Sequence, residues 1–315
     1  MTKESYYMKM IKLADGDDWA KYCVPFVAKN ILQFPLQLPK DMPMFSYLRK
    51  VFAKYRLLCK EVNLKTEVEN TANNIGKAII EGLKKYYDGK MIEAYNIISK
   101  ELDRSKLKDK LIIEEVEKKV YYRMRSEQGL ISEMDFYPLP YNLRYLCRAE
   151  RFSIPGYPCF YVGYSKNDCI LEIAQHGSIG SFRPKEGFKF KLIDLTMDTE
   201  GRTIPEETFL SFWPLIAACY VVSTIPEGQS NEKVGFREEY IIPQFLSIYI
   251  KNAIDSNSDD FWGIRYYSVK NPDLDPCGRG ENDYRNIMFF TDYDGIHAYD
   301  KRLMDNFVFE KAINV

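Results

Sequence analysis

The chain is predicted to be α+β, with a mixed β-sheet domain preceded by a small all-α one. Three observations predict it. Apolar residues recur at helical spacing through much of 42–118. From Val120 the texture changes to short runs rich in aromatic and β-branched residues. Helical stretches interrupt those runs without the regular alternation that would argue for βαβ units and a parallel sheet. The division is placed between a mainly helical part, 1–118, and a second domain, 119–315.

Residues 1–41 carry Pro25, Pro35 and Pro39, with Pro43 just beyond, so an extended arm or docked irregular segment is expected. A helix follows over 44–62, with Leu48, Val51, Phe52, Tyr55 and Leu58 on one face. A second opens on the capping-box pattern Thr66-Glu67-Val68-Glu69, carries Val68, Ala72, Ile75, Ile79, Leu83 and Tyr86, and ends at Asp88-Gly89. A third spans 91–102 through Ile92, Tyr95, Ile98 and Leu102. Charge dominates 101–119, where a further exposed helix is expected. These stripes read as core-facing. Strands are expected at 120–124, 158–164, 188–195, 262–269 and 286–291, and helices at 168–176, 206–222 and 238–253. Pro214 and Pro243 predict kinks or late starts in the last two helices. Acidic stretches at 255–260 and 273–283 read as surface loops.

With 315 residues, 46% hydrophobic, the chain can bury a sizeable core, and its 28% charged residues exclude wholesale disorder. Net charge is uneven, +6 over 1–120 and −7 over the rest, which supports two units with different surfaces. No strongly basic stripe is present, so no nucleic-acid partner is expected. No run approaches the ~18 apolar residues of a membrane span. Met1-Thr2-Lys3-Glu4 leads into polar sequence, not a signal peptide. The seven cysteines, Cys23, Cys59, Cys147, Cys159, Cys169, Cys219 and Cys277, form no CxxC pair. The expected setting is therefore reducing cytoplasm, with these as core thiols.

Several common signatures are missing: the phosphate-binding GxxxxGK loop, HExxH and GxSxG. Gly278-Arg279-Gly280-Glu281-Asn282-Asp283 lacks the last glycine of a dinucleotide fingerprint and follows a loop. With only His176 and His297, there is little histidine for a metal site or a general base. Glu172 and His176 stand four apart on one helix face, a spacing better explained by a local pair. No metal is expected.

What remains is an ordered polar set. Arg123 and Arg125 lie in Tyr121-Tyr122-Arg123-Met124-Arg125, where a strand arginine facing inward needs an anion. Arg151 precedes the turn of Phe152-Ser153-Ile154-Pro155-Gly156. The strand Phe160-Tyr161-Val162-Gly163-Tyr164 leads to Ser165, which can cap a helix holding Asp168 and Glu172. Ser268 closes Gly263-Ile264-Arg265-Tyr266-Tyr267-Ser268. Arginine suits a diphosphate because its planar fork stays charged and binds two oxygens at once.

In its order and spacing this set resembles the RES family, named for arginine, glutamate and serine. The resemblance covers about 120–292 and rests on YYRMR at 121–125, RFSIPGYPCFYVGYSKNDCILE at 151–172, EEYIIPQFLS at 238–247, GIRYYSV at 263–269 and NIMFF at 286–290. RES proteins are similar to ADP-ribosyltransferases in fold, and many are toxins that deplete NAD by cleaving its nicotinamide–ribose bond. The resemblance implies Arg123, Glu172 and Ser268 as catalytic residues, and Arg151, Tyr161 and Arg125 as substrate-binding ones. Either Arg123 or Arg151 can be the family arginine. NAD would be the consumed substrate, with no true cofactor, and water or phosphate the acceptor. A cognate antitoxin or a second copy of the chain would be the protein partner. The first 118 residues have no counterpart in compact RES toxins, and Arg265-Tyr266-Tyr267 precedes the serine where simpler residues are usual. Two alternatives stand beside this reading: ADP-ribosyl transfer to a protein, and a non-catalytic nucleotide-binding or interaction module.

Overall fold

A computed structural model describes residues 5–15, 31–115, 119–173, 176–197, 204–223, 236–253, 261–270 and 284–315. Cys23, Cys277 and the expected loops at 255–260 and 273–283 lie outside them. Contacts divide the chain into two units. One joins Met1–Leu111 to Met197–Tyr249 and Leu274–Cys277, and the other joins Ile112–Thr196 to Ile250–Asp273 and Gly278–Val315. The division is thus discontinuous, whereas the sequence reading cuts the chain once, at 118/119.

In the first unit the three expected helices are α2 (Met44–Glu61), α3 (Thr66–Tyr87) and α4 (Met91–Arg104). Two expectations are corrected. The proline-bearing start holds a helix, α1 (Tyr6–Asp15), and a short strand, β1 (Leu36–Leu38), which pairs in parallel with β7 (Val221–Ser223). The helix falls before the first proline, so nothing in its interior opposes it. The capping box does not form. Thr66 is already helical, Lys65 takes the cap position, and no side chain caps the end.

The centre of this unit is α8 (Glu206–Cys219), in which every residue from Phe209 to Cys219 is buried. A helix apolar on all sides needs neighbours on all sides. Trp213 stacks on Tyr55 with centroids 4.0 Å apart and planes at 12°, and Phe34 and Phe52 lie at 6.4 Å. Pro214 sits inside α8 and has no N–H to give the carbonyl of Leu210. The hydroxyl of Tyr55 takes that carbonyl instead, at 2.7 Å. One residue of α2 thus both stacks on the central helix and repairs its proline defect.

The second unit is built on an eight-stranded mixed sheet. Its strands are β2 (Ile112–Glu115), β3 (Tyr121–Arg125), β4 (Phe160–Gly163), β5 (Ser178–Pro184), β6 (Phe190–Asp194), β8 (Phe261–Tyr267), β9 (Arg285–Phe289) and β10 (Phe307–Asn314). The order is β10-β5-β3-β4-β9-β8-β6-β2, and β6–β8 is the parallel pair. The α+β class is as expected. Five strands fall where the aromatic runs predicted them, and three do not. The exposed helix expected over 101–119 is replaced by a left-handed residue at Lys106, the single turn α5 (Leu107–Lys110) and β2. β5 is not among the expected strands, because Ser178, Gly180 and Ser181 carry no strand propensity, yet pairing with both β3 and β10 buries it.

Strand alternation gives the sheet two unlike faces. One carries a cluster of rings from Tyr121, Phe160, Phe182, Phe190, Phe289 and Phe307, with neighbouring centroids 5.1–6.5 Å apart. The other carries α7 (Lys166–Ile173), seated on Met124 and Ile179 through Cys169, with Tyr122, Ile170 and Ile173 around them. Among the described residues, no helix is long and apolar enough to cross a membrane. Of the described cysteines, Cys59, Cys159, Cys169 and Cys219 are buried and Cys147 is half-buried, all as free thiols.

Candidate active site

The α7 face of the sheet gathers Glu172 and Ser268, whereas Arg123 and Arg125 share the ring face with Tyr121. Ser165 caps α7, its hydroxyl accepting the N–H of Asp168 at 3.1 Å, as the sequence predicts. Glu172 then falls in the last turn of α7, its side chain 31% exposed. β8 ends at Tyr267, so Ser268 leaves the strand at the same edge of the face, its N–H held by the carbonyl of Tyr284 at 2.9 Å. The Ser268 hydroxyl donates to Oε1 of Glu172. The glutamate and serine named from sequence, 96 residues apart, are in direct contact.

Two residues that sequence reasoning did not assign complete this group. Asn286, at the start of β9, donates Nδ2 to the same Oε1 at 3.2 Å. Lys270 donates Nζ to the backbone carbonyl of Glu172, and that Nζ lies 3.8 Å from Oε2. A lysine at the last turn of a helix meets both the unpaired carbonyls and the negative end of the helix dipole. Oε1 is thus held by two neutral donors, while Oε2 lies beside one cation.

Gly163 makes the arrangement sterically possible. It stands opposite Asn286 across the β4–β9 ladder. A Cβ there would come within 3.0 Å of Cys169 Sγ and 3.1 Å of Asn286 Oδ1. Gly163→Val is therefore expected to push α7 from the sheet and displace Asn286, costing about 1–3 kcal/mol. Denaturant unfolding checks this, and unchanged stability would show that the contact is not tight.

Tyr161 is flanked by the turn that holds Arg151. Its hydroxyl lies 3.0 Å from Ser153 Oγ, and the ring of Phe152 is 4.7 Å from that of Tyr266. Burial raises the Tyr161 phenol well above its usual range, so it remains a neutral hydrogen-bonding group. Arg151 itself is half-buried, in the turn closed by the Glu150–Ser153 bridge.

Arg123 sits where β3 and β4 pair at the single position Tyr122–Gly163. Its Cζ lies 5.2 Å from the ring centroid of Phe160, and Nη1 donates to the Tyr161 carbonyl at 3.4 Å. Burial, and after it the like charge of Arg125, hold the Arg123 guanidinium well below its ordinary pKa. Among the described residues no carboxylate lies within ion-pair distance of it. Among the described residues it is a desolvated cation with no counter-ion, the condition under which an arginine gains most from an incoming anion. Arg125 differs, because Nε and Nη2 are occupied by the carbonyls of Asp135 and Tyr137 at 3.1 and 2.8 Å. Among the described residues no hydrogen bond or ion pair joins Arg123 to Glu172 or Ser268. No group of three or more His, Cys, Asp or Glu side chains among them is placed to hold a metal.

A relative of the chain carries a toxin's name. It is a Bacillus subtilis (strain 168) protein named "Putative toxin YopC", 30% identical over 235 residues, which amounts to 65% of this chain and 49% of that one. The chain thus spans about half the length of the curated relative it matches. No protein-family model matches the chain, and no solved structure matches it.

Proposed function

We propose that the chain is a toxin that destroys NAD by cleaving its nicotinamide–ribose bond, with Glu172 as the acting carboxylate. The observation that carries this reading is the double clamp on Oε1 of Glu172 from Ser268 and Asn286, neither of which takes Oε2. The desolvated charge of Arg123, which no carboxylate among the described residues meets, supports a ligand with an anionic part, and the likeness to a protein named as a toxin supports the biological role.

In this mechanism Arg123, with Arg151, holds the diphosphate, and Tyr161 stacks against the nicotinamide end. Heterolysis of the C–N bond sends the electron pair to nicotinamide, which leaves neutral because it was cationic in NAD. The ribose carbon takes on oxocarbenium character, which Glu172 stabilises through its nearby negative charge while orienting a ribose hydroxyl or the nucleophile. Water then yields ADP-ribose, and phosphate yields ADP-ribose-1″-phosphate. Ser268 acts through Glu172, fixing its rotamer.

The test is incubation of the purified chain with NAD, with and without inorganic phosphate, followed by mass analysis. Nicotinamide together with either ribosyl product is the expected result and names the acceptor. Intact NAD under both conditions would overturn the reading. Labelled ADP-ribose recovered on protein would favour transfer to a protein instead.

A further inference from the structure

Asn286 is 6% exposed and held from several sides. Across the ladders it faces Gly163 of β4 and Tyr266 of β8. Its Oδ1 borders the space that the missing Gly163 side chain leaves, and its Nδ2 points at Glu172 Oε1. The carboxylate sets the amide's orientation, since a flipped amide would set Oδ1 against an anionic oxygen. Ser268 is fixed in the same sense. Its Oγ accepts the N–H of Lys270 at 3.3 Å, so its single proton remains for Oε1.

We infer that Asn286 is the positioning residue of this site. Together with Ser268 it saturates Oε1 of Glu172 and so fixes which oxygen and which lone pairs of the carboxylate reach the substrate. The inference rests on the proposed function only in naming Glu172 as the acting group. A glutamate on an edge helix has three side-chain torsions, and one serine tether leaves it free to swivel about that bond. Two donors from adjacent strands remove that freedom. The role also fits the asparagine in β9 opposite Gly163, whose missing side chain leaves room for it.

The test reads the carboxylate directly, in the full chain. Glutamate carboxyl carbons are labelled with 13C, and the Glu172 resonance is identified by its loss in Glu172→Gln. Its titration is then followed in the unsubstituted protein, Asn286→Ala and Asn286→Asp. Titratable groups near Glu172 among the described residues include Lys270 from the β8 end and Cys169 on α7, unchanged in both variants. Removing the amide withdraws a donor from the charged form, and aspartate adds a like charge beside it; both raise the midpoint. The expected rise is roughly one pH unit or more in Asn286→Asp and less in Asn286→Ala. An unchanged midpoint in both overturns the inference. Should Asn286→Asp fail to fold, the rise or its absence in Asn286→Ala decides alone. Nicotinamide release is measured in parallel. A shifted midpoint in a protein that never cleaves NAD leaves the positioning role standing and removes the proposed function, whereas full kcat with an unshifted midpoint does the reverse.

Discussion

Glu172→Gln is expected to lower NAD cleavage by roughly a hundredfold to ten-thousandfold while leaving the fold intact. Glutamine keeps the shape of the side chain and an acceptor oxygen for Ser268 and Asn286, so the clamp survives. What disappears is the negative charge that would face the oxocarbenium ribose. The side chain is partly exposed and its ion pair with Lys270 is long, so lost pairing costs at most about 1 kcal/mol of stability. The measurement is initial-rate nicotinamide release at saturating NAD, alongside a denaturant melt. If the chain inhibits growth when expressed, the same substitution should abolish the inhibition. A variant that cleaves NAD at a near-normal rate would remove Glu172 from its role.

Trp213→Ala carries the largest expected effect on stability, a loss of about 3–5 kcal/mol. The indole is wholly buried in the middle of α8, stacked on Tyr55 and flanked by Phe34 and Phe52. Its removal leaves a cavity ringed by aromatics that cannot collapse inward without tilting. The position of Tyr55 also secures the Leu210 carbonyl freed by Pro214, so the damage extends to a backbone hydrogen bond. Trp213→Phe should cost less. Among the described residues the buried indole N–H has no hydrogen-bond partner, and phenylalanine removes that penalty while keeping most of the ring contact. Urea unfolding of the three proteins orders them. If Trp213→Ala loses no more than Trp213→Phe, α8 is not the packed centre described above.

Much of the site was legible because it is carried by residue types with narrow chemical uses. Glu172 follows a strand and a serine cap at a spacing that places it on a helix bordering the sheet, and Ser268 ends an aromatic strand. Their meeting was implied by resemblance and is seen as contact. Asn286 stood within a recognised run, yet asparagine at the start of a strand has many ordinary explanations. Nothing linear says that its amide faces Glu172 across 114 residues. Lys270 was invisible for the same reason, since a lysine after a strand is usually solvated. Gly163 was the available signal: a glycine in an aromatic strand marks close approach from a neighbour. That neighbour is the pair Cys169 and Asn286.

The sequence alone determined α2, α3 and α4, the five aromatic strands and the α+β class, because periodicity and β-branched or aromatic content are local properties. Only the tertiary structure decided the partner of α8, which the sequence grouped with the sheet and which packs instead with Met1–Leu111. A helix buried on every side has no polar face to say which way it turns. Only the tertiary structure revealed β5 and β10 as strands. Glycine and serine in β5, and the central Glu310-Lys311 pair and Asn314 in β10, mask both strands in the sequence, and ladder hydrogen bonds with β3 and with each other form them. The same holds for the clamp on Glu172. Its donors come from two strands that only pairing brings side by side, and its geometry is a property of the sheet register.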